Sequence, residues 1–275
     1  MTHPVFDHVT YHAVYDASIL DALEYARDNR FAGVQIAVET PHLSFESMSD
    51  DQLGQIASFV ESNGSFISIH APDEAVSLFQ HSRILRDGIR GYYHALFDFA
   101  ARIKARLVTI HLGEMPTFAT DTRRELIIPQ EDLSIYHGVA AQNLDMVLEL
   151  AAGRFTVCIE NYNMDEFSMF LLKPYLDDRR LALCWDLAKS WNKPTLERFF
   201  FTSLDRVKQV HLHDVRQDER GNVKSHRLIG TGEIDFLYYL NRLSEVEVLD
   251  YCIEVRPREK AKESLESLKN LMGVE

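Results

Sequence analysis

Side chains that commonly bind metal ions stand where short β-branched segments of this 275-residue sequence end. The six residues are His70, His111, Glu160, Asp186, His211 and Glu254. Three carboxylates and three imidazoles form a ligand set suited to zinc, manganese or iron. If these segments are strands of one closed barrel, their carboxyl ends share a face and the six side chains converge there. We therefore expect a metalloenzyme.

Eight apolar segments with little alternation of polarity predict strands that are buried on both faces. They are residues 9–13, 33–39, 66–72, 107–113, 156–162, 181–187, 207–215 and 251–257. Segments with helical periodicity separate them, namely 16–29, 49–60, 84–105, 133–152, 166–176, 196–201, 236–243 and 260–271. Strict alternation predicts an α/β fold of the (β/α)8 TIM-barrel type, with one domain over residues 1–275. A doubly wound open sheet is disfavoured because no G-x-G-x-x-G turn follows the first predicted strand.

The composition favours a small-molecule enzyme over a protein that binds polyanions. A net charge of −13 gives no sign of general affinity for nucleic acid or anionic membranes, since such binding requires clustered Lys and Arg. The N-terminal residues lack the basic and apolar regions of a signal peptide, and no apolar run is long enough to span a bilayer. We expect a cytoplasmic protein whose oligomeric state is open, with a homodimer or tetramer among the options.

Each of the three cysteines precedes one of the acids by two residues. Cys158, Cys184 and Cys252 therefore share the inward face of a strand with the acid, one layer deeper. We interpret them as part of a layer of small or polar side chains beneath the site. A thiolate metal centre is the alternative.

The order of short motifs along the chain resembles the xylose-isomerase-like TIM-barrel superfamily. The motifs are His70-Ala71-Pro72, His111-Leu112-Gly113, Glu160-Asn161, Asp186 to Lys189, His211 to Asp214, Gly230 to Ile234 and Glu254. Each motif is short, but their order and spacing cover almost the whole chain. This superfamily contains sugar and sugar-phosphate isomerases and epimerases together with the endonuclease IV branch, AP endonuclease family 2.

The resemblance implies a divalent-metal site. In the isomerases and epimerases, one ion is held at the positions of Glu160, Asp186, His211 and Glu254, with His213 as an alternative ligand here. Manganese or zinc suits this set best, with cobalt, iron and magnesium as alternatives. In the endonuclease branch a second ion uses the positions of His70 and His111, bridged by Glu160; in single-metal relatives these histidines can contact substrate.

The endonuclease's third metal site is not retained. Lys189 stands where the D-x-x-H motif has a ligand, and Lys224 stands where the D-x-H motif has its aspartate. A lysine near a metal repels the ion and attracts an anionic group of a substrate. The resemblance therefore does not extend to a trinuclear phosphodiesterase.

The remaining set is compatible with sugar isomerisation or epimerisation through a metal-stabilised enediolate. Glu160 and Glu254 are the predicted base and acid, and Lys189 is predicted to bind an anionic group or protonate an alkoxide. His226 and Arg256 are predicted to bind a sugar-like substrate, and Glu39 is predicted either to contact substrate or to form an ion pair. A dinuclear phosphoesterase and a non-catalytic binding barrel are the alternatives. Two long loops, 113–132 and 214–232, leave the same face, and the second is predicted to cover the substrate.

Overall fold

The structure, a computed structural model, describes residues 4–72, 76–119, 124–126 and 133–274. Its strands are β1 Val9–Ala13, β2 Gly33–Ala37, β3 Phe66–His70, β4 Leu107–Ile110, β5 Thr117–Ala119, β6 Arg124–Leu126, β7 Thr156–Glu160, β8 Ala182–Asp186, β9 Val207–Leu212, β10 Asp214–Gln217, β11 Val223–Arg227 and β12 Asp250–Ile253. Eight of them pair in parallel and close a barrel in the order β1-β12-β9-β8-β7-β4-β3-β2. The prediction of a (β/α)8 barrel is confirmed.

Helices follow the barrel strands and cover the outside of the sheet. They are α1 Ile19–Asp28, α2 Asp50–Asn63, α3 Arg83–Arg102, α4 Leu133–Ala151, α5 Glu166–Asp177, α6 Leu187–Ser190, α7 Pro194–Thr202, α8 Phe236–Leu243 and α9 Arg258–Leu271. Local sequence sets where several of them begin. Ser18 caps α1 by accepting a hydrogen bond from the amide of Asp21, and Ser49 forms a capping box with Gln52 at the start of α2.

The two faces of the barrel strands carry different side chains. Val34, Ile36, Ile67 and Ile69 are fully buried and belong to the main apolar core. Their alternating neighbours, such as Gln35 and Ser68, are equally buried but polar, and the register pairs these two across β2 and β3. Because side chains alternate along a strand, the apolar set packs towards the helices and the polar set fills the barrel interior.

The structure differs from the prediction after the seventh barrel strand. The segment 207–215, predicted as one strand, ends as β9 at Leu212, and Asp214 begins a separate antiparallel hairpin of β10 and β11. Most of the predicted substrate-covering loop 214–232 is therefore ordered as a hairpin. The other long loop contains the short β5–β6 hairpin, and its residues 120–123 and 127–132 lie outside the described part of the chain. The turn α6, which the sequence analysis did not predict, follows Asp186 directly.

Candidate metal centre

The six predicted ligands all lie at the carboxyl end of the barrel, but not all at the last residue of a strand. His70, Glu160 and Asp186 end β3, β7 and β8, whereas His211 is the penultimate residue of β9. His111 and Glu254 each come one residue after their strand. None of the six is more than 5% exposed. Three acids and three imidazoles are thus withdrawn from water into one group.

Glu160 is the centre of a cluster of imidazoles. Its Oε2 lies 3.0 Å from Nε2 of His111, 3.2 Å from Nε2 of His70 and 3.3 Å from Nδ1 of His211. Burial opposes ionisation of Glu160, but the charges of His211 and His111 outweigh it and hold the pKa of this carboxyl well below its usual range. Glu160 is therefore a buried carboxylate rather than a carboxylic acid.

His211 lies between two of the carboxylates. Its Nδ1 is 3.3 Å from Oε2 of Glu160 and 3.5 Å from Oε1 of Glu254, and its Nε2 is 3.1 Å from Nε2 of Gln35. Burial disfavours the charged ring, but Glu254 and Glu160 outweigh that effect and raise the pKa of His211 to about 9. The imidazolium therefore supplies part of the positive charge that these buried acids need.

Asp186 has two kinds of partner. Its side chain accepts a hydrogen bond from the amide of Lys189 at 3.0 Å and lies 3.2 Å from Nε2 of His213. The side chain of Asn161 bonds both the backbone N–H and the backbone C=O of Asp186, at 2.7 and 2.9 Å. At the end of β7, Glu160 is thus a candidate ligand, and the following Asn161 fixes the backbone of a second candidate ligand, Asp186. Burial opposes ionisation of Asp186, but His213 outweighs it and lowers the pKa.

These residues fit a divalent cation. The described ligand atoms of Asp186, His211 and Glu254 lie within 4.8 Å of one another, and Nδ1 of His211 is buried without a well-formed hydrogen bond. Carboxylate oxygens together with an imidazole nitrogen suit Mn²⁺ or Zn²⁺. Glu160 reaches the same His211 nitrogen. The predicted four-residue set is therefore assembled in one place, and removing its charges from water without a cation is costly.

A second group of possible ligands lies beside the first. His70, His111 and Glu160 also offer three ligand atoms within 4.8 Å. Nδ1 of His70 donates to the backbone carbonyl of Ala71 at 2.9 Å, which turns Nε2 towards Glu160. A metal-binding imidazole is commonly held in this way by its other nitrogen.

The thiol alternative is disfavoured. Cys184 does lie near Glu160 and His211. However, burial and the neighbouring acids raise the pKa of this thiol well above its usual range. A protonated thiol is a poor ligand, because metals bind the thiolate.

The described residues line a cavity of about 310 Å³ above the ligands. Its lining includes Glu39, Tyr162, Lys189, His226 and Arg256. The ammonium of Lys189 lies 4.8 Å from the centre of the Tyr162 ring, a cation–π contact, and that ring stacks on His111 at 4.7 Å. Glu39 is 44% exposed at the side chain and lies 4.0 Å from His70. All three predicted substrate contacts, Lys189, His226 and Arg256, therefore reach this cavity.

His12, on β1, is a cavity residue to which the sequence analysis gave no role. Its Nδ1 lies 2.9 Å from the guanidinium of Arg256 and 3.3 Å from Oε1 of Glu254. Burial and the charge of Arg256 hold its pKa well below the usual range, so the ring is neutral. The sequence signal was present, because His12 occupies the inward register of a predicted strand, but no family motif marks it.

The hairpin after β9 is fastened to the barrel mouth by Asp214 and His226. Asp214 accepts hydrogen bonds from the backbone amides of Gly230 and Gly232 at 3.0 and 2.7 Å. A side chain at Gly232 would collide with Asp214 and with the carbonyl of Val215, so only glycine fits there. The ring of His226 stacks on His213 at 4.2 Å, and its Nδ1 lies 3.0 Å from the carbonyl of Glu254.

Lys189 and Lys224 occupy the two positions at which the sequence predicts that the third metal site has lost its ligands. Lys189 lines the cavity, and Lys224 is exposed on β11. His226 nevertheless groups with His213 and Glu254, whose ligand atoms lie within 4.8 Å of its own. The two lysines therefore stand at the ligand positions of the endonuclease motifs. His213, His226 and Glu254 form a different group of possible ligands beside the β10–β11 hairpin.

One layer below the ligands, a buried acid is bonded only to neutral groups. Asp250 accepts hydrogen bonds from Thr10, Ser68 and Gln209 at 2.6, 2.7 and 2.6 Å. Thr109 donates to the side chain of Gln209 and extends the network across the barrel. Burial raises the pKa of Asp250 although the three hydrogen bonds oppose the shift.

The motifs, the closed barrel and the ligand group define the class of protein. The family model described as xylose isomerase-like TIM barrel matches residues 23–271. The chain belongs to this family.

Solved structures with the same fold include enzymes of different chemistry. A D-tagatose 3-epimerase-like protein superposes with a TM-score of 0.75 at 17% identity, covering 97% of each chain. Endonuclease IV from Thermus thermophilus superposes with a TM-score of 0.70 at 17% identity, covering 97% of this chain and 99% of its own. The IOLI protein, solved with a zinc atom, gives 0.68 at 14% identity over 96% of each chain. No curated protein matches the chain in sequence.

Solved structures with this fold thus include an epimerase-like protein as well as endonuclease IV, and the fold does not choose between their activities. Among the described helices, none is long and apolar enough to cross a membrane.

Proposed function

We propose that the protein is a divalent-metal-dependent isomerase or epimerase of a sugar, polyol or sugar phosphate, acting by proton transfer at a carbon beside a carbonyl. The observation that carries this proposal is the position of His211. Its Nδ1 lies within 3.5 Å of carboxylates from both Glu160 and Glu254, two acids that line a cavity of about 310 Å³. Glu160, Asp186, His211 and Glu254 would hold the ion.

The chain's own residues provide a proton acceptor and a proton donor on separate walls. Glu160 and Glu254 come from β7 and from the end of β12, which are separated in the barrel by β8 and β9. They therefore approach a substrate from different sides, as abstraction on one face and return on the other require. When bound, a divalent cation would polarise the substrate's carbonyl and hydroxyl oxygens and stabilise their developing negative charge.

Lys189 and His226 complete the proposed active site from the side of β8 and β11. Lys189, held over the Tyr162 ring, would donate a proton or a hydrogen bond to a substrate oxygen. His226 is tied to Glu254 and His213 and would position the substrate end that lies nearest the hairpin.

A dinuclear phosphoesterase is the second candidate, because of the group formed by His70, His111 and Glu160. The bond from His70 to the carbonyl of Ala71 prepares its Nε2 for a second ion. The same bond also suits a histidine that contacts substrate. Only the number of ions separates the two candidates at this position.

Metal stoichiometry tests the choice directly. Protein purified without chelator is analysed by elemental mass spectrometry, together with Asp186→Ala and His70→Ala. One ion per chain that is lost in Asp186→Ala and retained in His70→Ala supports the isomerase or epimerase. Two ions, of which one is lost in His70→Ala, support the phosphoesterase.

The reaction class is tested in deuterated water with a panel of ketoses and aldoses. An isomerase or epimerase incorporates deuterium from the solvent at the carbon beside the carbonyl, whichever product forms. If the metal-loaded protein exchanges no carbon-bound hydrogen and instead hydrolyses phosphoesters, the proposed function is wrong.

A further inference from the structure

The cavity contains two cationic side chains that have no acidic partner among the described residues. Lys189 and Arg256 are the lysine and the arginine of its described lining. Several Arg and Lys side chains elsewhere in the described fold form ion pairs, as Arg258 does with Asp16 at 3.0 Å. Within residues 4–72, 76–119, 124–126 and 133–274, neither Lys189 nor Arg256 has a carboxylate oxygen within 4.0 Å.

Arg256 is held in place by a neutral group. Its guanidinium lies 2.9 Å from Nδ1 of His12, and since an arginine can only donate, that nitrogen accepts. The guanidinium is thereby oriented without being neutralised, and most of its five N–H donors remain for another partner.

The same contact fixes the tautomer of His12. With Nδ1 accepting, the proton of the neutral ring is on Nε2. This nitrogen is buried and has no hydrogen-bond partner among the described atoms. The two ring nitrogens point in divergent directions, so His12 orients Arg256 through Nδ1 and does not share a partner with it through Nε2.

The acids around the cavity do not pair with Arg256. Glu160, Asp186 and Glu254 would be occupied by the cation, and Glu39, which also lines the cavity, lies 4.0 Å from His70.

We infer that the substrate carries an anionic group, a carboxylate or a phosphate, which binds to Arg256, while Lys189 on the other wall faces its reacting end. This inference rests on the proposed function and narrows it to sugar acids or sugar phosphates. Arg256 would bind the anion in two-pronged fashion through its remaining N–H groups. The hydroxyls of a neutral sugar can accept from these donors but bring no negative charge to pair with the guanidinium.

Three ligands that differ only at carbon 6 test the inference. The metal-loaded protein is titrated with D-fructose, D-fructose 6-phosphate and D-fructuronate, with inorganic phosphate as a probe of the anion site alone. Binding is measured by the shift of the melting temperature and by calorimetry. An anionic ligand should stabilise the protein more than D-fructose does, and the stronger of the two anions identifies phosphate or carboxylate as the natural group.

Two variants make the test specific. Arg256→Gln should weaken binding of the anionic ligand roughly 10- to 100-fold, as expected for lost hydrogen bonds to a charged group, and weaken binding of D-fructose by a smaller factor. Arg198→Gln removes the same charge from α7, outside the cavity, and should bind like the wild type. If no anion binds better than D-fructose, or if Arg256→Gln and Arg198→Gln behave alike, the inference is wrong.

Failure of the inference and failure of the proposed function can be told apart. The metal stoichiometry is measured first and decides the proposed function. If one ion binds but the anionic ligands bind no more tightly than D-fructose, the proposed function is retained and the inferred anion site is wrong. If no ion binds, the proposed function falls, and the same comparison of Arg256→Gln with Arg198→Gln on the metal-free protein decides the anion site.

Discussion

Two buried acids, one layer apart inside the same barrel, are stabilised in opposite ways. Glu160 is surrounded by imidazoles of His70, His111 and His211, and its pKa is held well below the usual range. Asp250 is bonded to two hydroxyls and an amide, and burial raises its pKa. The first site depends on positive charge, which a metal ion can replace. The second depends on fixed neutral donors and is built for stability.

Replacing Glu160 should have the largest effect on function. Glu160→Gln removes the proposed proton acceptor and a metal ligand, so hydrogen exchange at the substrate carbon should fall by about 10²- to 10⁴-fold. Stability should change little, because an amide costs less to bury than a charge. Deuterium incorporation and urea unfolding measure the two effects. If Glu160→Gln retains wild-type exchange, Glu160 is not the proton acceptor.

Replacing Asp250 should reverse this pattern. Asp250→Ala leaves the donors of Thr10, Ser68 and Gln209 without an acceptor and opens a small cavity, which should cost about 2–4 kcal/mol of stability. Metal content should remain unchanged. The matched control, Asp250→Asn, keeps one acceptor oxygen and should lose less. A loss of metal without a loss of stability in Asp250→Ala would mean that the two layers are not independent.

The ligand layer should also respond to pH. The pKa of His211 is raised from 6.5 to about 9 in the metal-free protein. Its charge therefore stabilises the metal-free fold fully below pH 6.5, and that contribution is lost as the pH rises through 9. A metal needs Nδ1 without its proton, so metal affinity should increase about tenfold per pH unit up to that range.

Competition with a metal-binding dye between about pH 6.5 and 8.5, below the raised pKa, measures this dependence. His211→Gln serves as the control, because it has no proton to release and its residual affinity should vary less. An affinity that is constant over this range in the wild type would show that His211 is not a ligand.

The smallest effect is expected from replacing Cys184, which lies near Glu160 and His211. The raised pKa of Cys184 keeps it a thiol, so Cys184→Ser should retain the metal and lose at most about 1 kcal/mol of stability. Elemental analysis of this variant beside Asp186→Ala is the measurement. A loss of the ion in Cys184→Ser would instead support a metal centre in which the Cys184 thiolate is a ligand.

The sequence predicted where the candidate ligands lie better than it predicted their surroundings. Strand spacing and motif order were sufficient to predict that Glu160, Asp186, His211 and Glu254 converge, because strand ends in a barrel converge whatever the helices between them. The bond between His12 and Arg256 joins the first strand to the segment after the last, and no local pattern records it.

The hairpin shows the same limit. The segment 207–215 is apolar enough for one strand, but Asp214 turns the chain because the amides of Gly230 and Gly232 offer it hydrogen bonds. The pairing of His213 with Asp186 follows from that turn and not from periodicity.

The fastening of the β10–β11 hairpin has a consequence for engineering. Asp214 secures the base, and the tip at residues 218–222 is closed by its own bonds, in which Asp218 accepts from the amides of Arg220 and Asn222. The described hydrogen bonds of the tip are thus bonds within the hairpin itself, which makes the tip a separable segment. Grafting longer or differently charged tips between Gln217 and Val223 should alter which molecules enter while the ligand geometry beneath stays intact.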